Sequence, residues 1–92
     1  MTESDEHPSL SIIIPAKNEA AIIGEVVASV RDVYRNAEIL VVDDGSLDDT
    51  AALAEQSGAI VVRNPVSLGN GAAIKAGARA ASGDILIMMD GD

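Results

Sequence analysis

Four short aliphatic runs punctuate the chain: LSIII at residues 10–14, EILVV at 38–42, AIVV at 59–62 and DILIMM at 84–89. Each has strand length and is continuously apolar rather than alternating, the pattern of strands covered on both faces of a parallel sheet. Between the first two runs, Ile22, Val26, Val30 and Val33 recur at helical spacing with Ile23, Val27 and Tyr34 beside them, which predicts a helix over residues 19–35. Ser46 and Asp49 stand at capping-box spacing before a good helix former at 51–56, and Gly58 is placed to end it. An alanine-rich stretch at 70–81 predicts a third helix that ends before Gly83, with side chains small enough to lie close on a sheet. The order β-α-β-α-β-α-β with short connections predicts an α/β fold: a parallel, doubly wound, Rossmann-like sheet with right-handed crossovers. Ligands bind such sheets beyond the carboxyl ends of the strands, which here carry residues 15–19, 43–46, 63–65 and 90–92.

Composition narrows the classes. Ninety-two residues make one domain, and Tyr34 is the only aromatic, so the core is aliphatic. A net charge of −9 excludes nonspecific binding to nucleic acid or anionic lipid. No cysteine is present, which excludes a disulfide frame and a thiolate nucleophile and fits the cytoplasm as the expected location. The opening MTESDEHPS is acidic and polar and reads as a disordered tail over residues 1–9, with His7 solvated in it; the folded part is 10–92. No apolar run approaches the roughly 18 residues of a membrane span.

Charge then points to chemistry. Three strand ends bring carboxylates to one rim: Glu19, the pair Asp43 and Asp44, and the pair Asp90 and Asp92. Clustered carboxylates resist ionising together unless a cation or hydrogen-bond donors join them. Asp-x-Asp at the end of a buried strand suits Mg²⁺ or Mn²⁺, completed by substrate phosphates and water. The plainer reading, that Asp and Gly merely end strands, covers one such residue better than the whole set. Asp48 and Asp49 read as helix-start residues serving the dipole, not as site residues. GNGAAI at 69–74 resembles a dinucleotide fingerprint but follows the wrong strand and lacks its third glycine, and no Gly-Lys-Ser/Thr marks a P-loop. Lys75 is equally a phosphate contact or a solvated lysine; Met88 and Met89 read as core.

SIIIPAKNEA, EILVVDDGSLDDT, NPVSLGNGAAIKAGARAASGD and MMDGD occur in the order and spacing of family 2 glycosyltransferases, which the chain resembles over residues 10–92. Its closest look is to the branch of dolichyl-phosphate mannosyltransferase and bacterial polyprenyl-phosphate sugar transferases. The resemblance implies the GT-A fold and an inverting transfer from a UDP- or GDP-sugar. It places Pro15, Lys17 and Glu19 around the donor nucleotide, Val42 and Asp44 on its base or ribose, and Asp90, Gly91 and Asp92 on the diphosphate side. There the first aspartate supports the nucleotide sugar and Asp92, with Asp90, holds the metal. Lys17 stands where some relatives have an aromatic, and Gly91 where alanine is common. The implied acceptor is a polyprenyl or dolichyl phosphate, bound by a C-terminal part beyond this chain, with the complete protein at the cytoplasmic face of the membrane.

Relatives continue past Asp-x-Asp, so the chain is expected to be an N-terminal fragment truncated after that motif, inactive by itself and without a catalytic base. Two other classes compete. A non-catalytic nucleotide-sugar module stays open, and turnover by the chain would exclude it. A phosphoacceptor receiver domain needs its acidic pair after the first strand and its acceptor after the third, where this chain has PAKNEA and RNP.

Overall fold

The computed structural model describes residues 8–89. Seven elements follow in chain order: β1 (Leu10–Ala16), α1 (Ile23–Val33), β2 (Glu38–Asp44), α2 (Thr50–Gln56), β3 (Ile60–Asn64), α3 (Asn70–Ala80) and β4 (Ile85–Met88). The strands pair in parallel in the order β3-β2-β1-β4. This is the doubly wound α/β sheet that the hydrophobic pattern predicts.

Alternate residues of the two central strands divide the core. Ile12, Ile14, Ala16, Ile39 and Val41 pack with Ile23, Val27 and Val30 of α1 and Ala54 of α2. Ile13 and Val42 pack on the other face with Ala73 of α3. Burial on both faces is why β1 and β2 read as unbroken apolar runs. The edge strands depart from that expectation: Ile60 of β3 and Ile85, Leu86 and Met88 of β4 are exposed.

Gly77 lets α3 lie close on the sheet. A Cβ there would stand 2.5 Å from Ile13 Cγ2 and 3.0 Å from Val42 Cγ2. Overpacking of this kind costs about 1–3 kcal/mol, partly offset by the roughly 1 kcal/mol gain in helix propensity over glycine. Gly77→Ala is therefore expected to lower unfolding free energy by about 1 kcal/mol and Gly77→Val by about 3 kcal/mol, read from urea denaturation midpoints at unchanged slope.

Two boundaries differ from the sequence expectation. Helix α1 begins at Ile23 rather than at residue 19; residues 20–22 form a turn in which the Glu19 carbonyl accepts from both the Ile22 and the Ile23 amides. Its buried stripe is Ile23, Val27 and Val30, while Ile22 and Val33 are exposed. Strand β2 extends through Asp43 and Asp44, since both stay in register with Arg63 and Asn64 of β3.

Pro15 shapes the rim. The Ile13 carbonyl accepts from the Met89 N–H at 2.9 Å, so Ile13 faces β4, and residues two apart in a strand face the same neighbour. The next donor toward β4 is Pro15, which has no N–H. Pairing of β1 with β4 accordingly stops at Ile13–Met88, whereas pairing of β1 with β2 continues to Ala16–Asp43. This limit lies at the point where strand order reverses, the usual ligand crevice of such sheets. Among the described residues no helix is long and apolar enough to cross a membrane.

Candidate functional site

Because the strands are parallel, Lys17, the Asp43–Asp44 pair, Asn64 and Met89 lie along one edge of the sheet. Asp44 is buried there, and its carboxylate organises the loop before α3. Oδ1 accepts from Asn64 Nδ2 at 3.0 Å and the Leu68 N–H at 2.9 Å. Oδ2 accepts from Ser67 Oγ at 3.0 Å and the Gly69 N–H at 2.9 Å. A carboxylate has about four lone-pair sites, so this one is filled from within the protein. Asp44 supplies negative charge beside the N-terminus of α3, where the helix dipole favours it.

These bonds, the one from the Leu68 amide foremost, hold the Asp44 pKa down to about 2 from 3.8. A folded value below the unfolded one contributes stability that is complete above pH 3.8 and lost as pH falls through about 2. The stability difference between wild type and Asp44→Asn is expected to widen across that window and stay level above it, as measured by urea unfolding from pH 2 to 6.

Asp43 turns to the opposite face. Its Oδ1 accepts from the Ser46 N–H at 3.1 Å, and the exposed Arg63 guanidinium stands 3.6 Å from Oδ2. Lys17 Nζ donates to Ser67 Oγ at 3.1 Å. Ser67 in turn donates to Asp44, so the loop after β1 is tied to the loop before α3.

A second tie joins the loop after β1 to the loop after β2. Ser46 Oγ accepts from the Asn18 N–H at 2.9 Å, Thr50 Oγ1 from the Glu19 N–H at 2.9 Å, and Asp48 Oδ2 from the Ala20 N–H at 3.1 Å. Asn18 Oδ1 accepts from the Leu47 N–H at 2.8 Å. Asp48 Oδ1 receives the Thr50 N–H and hydroxyl; the bond from the Thr50 hydroxyl holds the Asp48 pKa below its ordinary value. Gly45 stands between the rim loops at φ 75°.

The structure distributes the expected site residues unevenly. Lys17 and Glu19 are in the rim loop. Val42 is not on the rim: its side chain is buried against Ile13 and the α3 face, so a contact to base or ribose gives way to a core role. Pro15 is also buried, in β1 beside Val42. Asp44 is at the rim but with its oxygens taken up by loop 64–69. Asp90, Gly91 and Asp92 lie outside the described residues.

Ser46 and Asp49 form no capping box, since α2 begins after Asp49 without a side-chain cap bond. Asp48, read as a dipole residue, instead bonds across loops. The S-x-D-x-T spacing at 46–50 was the available signal, because such side chains compete for backbone amides outside helices. Among the described residues no three carboxylates or imidazoles are grouped to hold a metal.

Comparison with known proteins gives five matches. The model of Glycosyl transferase family 2 matches residues 11–92. Glucosyl-3-phosphoglycerate synthase of Mycobacterium tuberculosis is 38% identical over 93 residues, covering 91% of this chain and 29% of the synthase. An uncharacterised protein of Methanocaldococcus jannaschii is 38% identical over 85 residues, covering 88% of this chain and 34% of that protein. A crystal structure of the mycobacterial synthase with Mn²⁺, UDP and glucosyl-3-phosphoglycerate superposes at TM-score 0.81 and 36% identity over 97% of this chain and 35% of that chain. Mannosyl-3-phosphoglycerate synthase of Rubrobacter xylanophilus superposes at TM-score 0.83 and 26% identity over 98% of this chain and 32% of that chain. The chain spans about a third of the length of the curated relatives it matches. These relatives turn the finer resemblance away from the dolichyl-phosphate mannosyltransferase branch and toward hexosyl-3-phosphoglycerate synthases.

Proposed function

The chain belongs to glycosyltransferase family 2, and from that premise we propose that it forms the donor-nucleotide part of an inverting glycosyltransferase using a UDP-sugar. The observation that carries this is the superposition over 97% of the chain on a synthase crystallised with Mn²⁺ and UDP, together with a parallel sheet whose strand order reverses between β1 and β4.

In this reading the nucleotide lies over that edge. Lys17 and Glu19 flank it from the loop after β1, and Asp44 acts through the loop it holds. Asp90 and Asp92 would hold Mg²⁺ or Mn²⁺ beside the diphosphate; the mycobacterial synthase has been crystallised with either ion and UDP. Such an ion offsets the charge that develops on the departing nucleoside diphosphate. The acceptor oxygen attacks the anomeric carbon from the opposite face, so one displacement inverts the centre.

The acceptor in this proposal is a phosphorylated hydroxy acid of the phosphoglycerate type, on the strength of the two synthases; the lipid phosphate implied by the earlier resemblance has no such support. A hydroxyl acceptor, unlike an ionised phosphate, needs a base to take its proton, and that base is assigned to the part of the enzyme outside these residues. A cytoplasmic location belongs to the same proposal. The test incubates the complete protein with UDP-glucose or GDP-mannose, Mn²⁺, and either 3-phosphoglycerate or a short polyprenyl phosphate. Transfer to phosphoglycerate is the expected result. Transfer to the polyprenyl phosphate alone overturns the acceptor, and absence of transfer from either donor to either acceptor overturns the function.

A further inference from the structure

We propose that Asn18, Ser46, Asp48 and Thr50 are positioning residues of the donor site, a clasp that holds the Lys17–Asn18–Glu19 main chain in its ligand-binding shape before the nucleotide arrives. The proposal rests on the nucleotide-sugar reading above and deepens it.

Three consecutive amides, those of Asn18, Glu19 and Ala20, are each met by a different side chain of one five-residue stretch, and Asn18 returns a bond to that stretch through Oδ1. The directions are fixed by chemistry. Asp48 only accepts when ionised, so the buried Thr50 hydroxyl must donate to it and accept from Glu19. Asp48 is thereby engaged on both oxygens, by Ala20 through one and by Thr50 through the other.

Asn18 sits at φ 54°, a left-handed conformation that costs most residues free energy but that asparagine tolerates through local hydrogen bonds. Strain held in place by surrounding bonds at the ligand edge of a sheet is a sign of preorganisation: a loop already ordered spares the ligand the cost of ordering it.

The experiment uses the complete protein, with UDP and Mn²⁺ as the probe in calorimetry, hydrogen exchange of residues 17–20, and kcat measured separately from KM. Asn18→Ala loses both the left-handed preference and the Oδ1 acceptor, and is expected to weaken UDP binding about tenfold while leaving kcat within about twofold. Asn18→Gly keeps the conformation and is expected to lose only about threefold. Thr50→Val is expected to match Asn18→Ala and to speed exchange of the Glu19 amide. Thr50→Ser restores the hydroxyl and is expected to restore both readouts; if Thr50→Val does not fold, Thr50→Ser and the two Asn18 variants decide the matter. Faster exchange at residues 17–20 with UDP affinity unchanged overturns the positioning role while leaving the donor site standing. Failure of the wild-type protein to bind UDP or GDP with Mn²⁺ overturns the donor reading and this inference together.

Discussion

Replacing Asp92 by asparagine in the complete protein is expected to lower sugar transfer by about a hundredfold or more, with little change in melting temperature. The carboxylate at this position is one of two that follow β4, and Asp43 and Asp44 cannot stand in for it. Asp43 is bonded to the Ser46 amide and flanked by Arg63, and Asp44 is filled by Asn64 at the end of β3 and three donors of the loop before α3. Asparagine keeps the size and one oxygen but loses the charge that a hard divalent cation requires. Activity of the variant should therefore demand much higher Mn²⁺, which a metal titration of kcat/KM measures. Undiminished turnover at the wild-type metal requirement would place the metal elsewhere.

Gly45→Val is expected to have the largest structural effect of any single change at the rim. Gly45 has φ 75°, and a Cβ there would stand 2.6 Å from Ser67 N and 2.9 Å from Val66 C, both backbone atoms. A β-branched residue pays the left-handed penalty of about 1–2 kcal/mol and also pushes loop 64–69 away. That movement pulls Ser67, Leu68 and Gly69 off Asp44, so the loss should total about 3–5 kcal/mol once a buried charge is left short of donors. Thermal unfolding and UDP affinity should fall together. A variant that melts like wild type would show that the loop shifts without cost.

The strands, their order of appearance and the acidic edge were legible in the sequence because burial on two faces writes an unbroken apolar run. Gly58, read as a helix stop, does adopt φ 95° after α2. What escaped was the use of polar side chains across loops. Ser46, Asp48 and Thr50 carry the same residue types as a helix cap, and spacing along one chain cannot distinguish a bond to the local helix from a bond to a loop nearly thirty residues earlier. The start of α1 was placed early because residues 20–22 form a turn on the Glu19 carbonyl, and helix-forming residue types do not distinguish such a turn from the helix proper. Asp44 looked like a ligand contact since its saturation depends on Asn64, Ser67, Leu68 and Gly69, none of which is near it in sequence. Val42 was legible as a buried strand residue, but that α3 is the helix covering it was not.

The donor site itself is tested most directly by calorimetry of the complete protein with UDP, with and without Mn²⁺. UDP should bind in the presence of Mn²⁺ and at least about tenfold more weakly after chelation, and Asp92→Asn should bind as weakly as the chelated wild type. Binding of UDP that is indifferent to both metal and Asp92, or no binding of UDP or GDP under either condition, would contradict a metal-assisted nucleotide-sugar site at the carboxyl edge of this sheet.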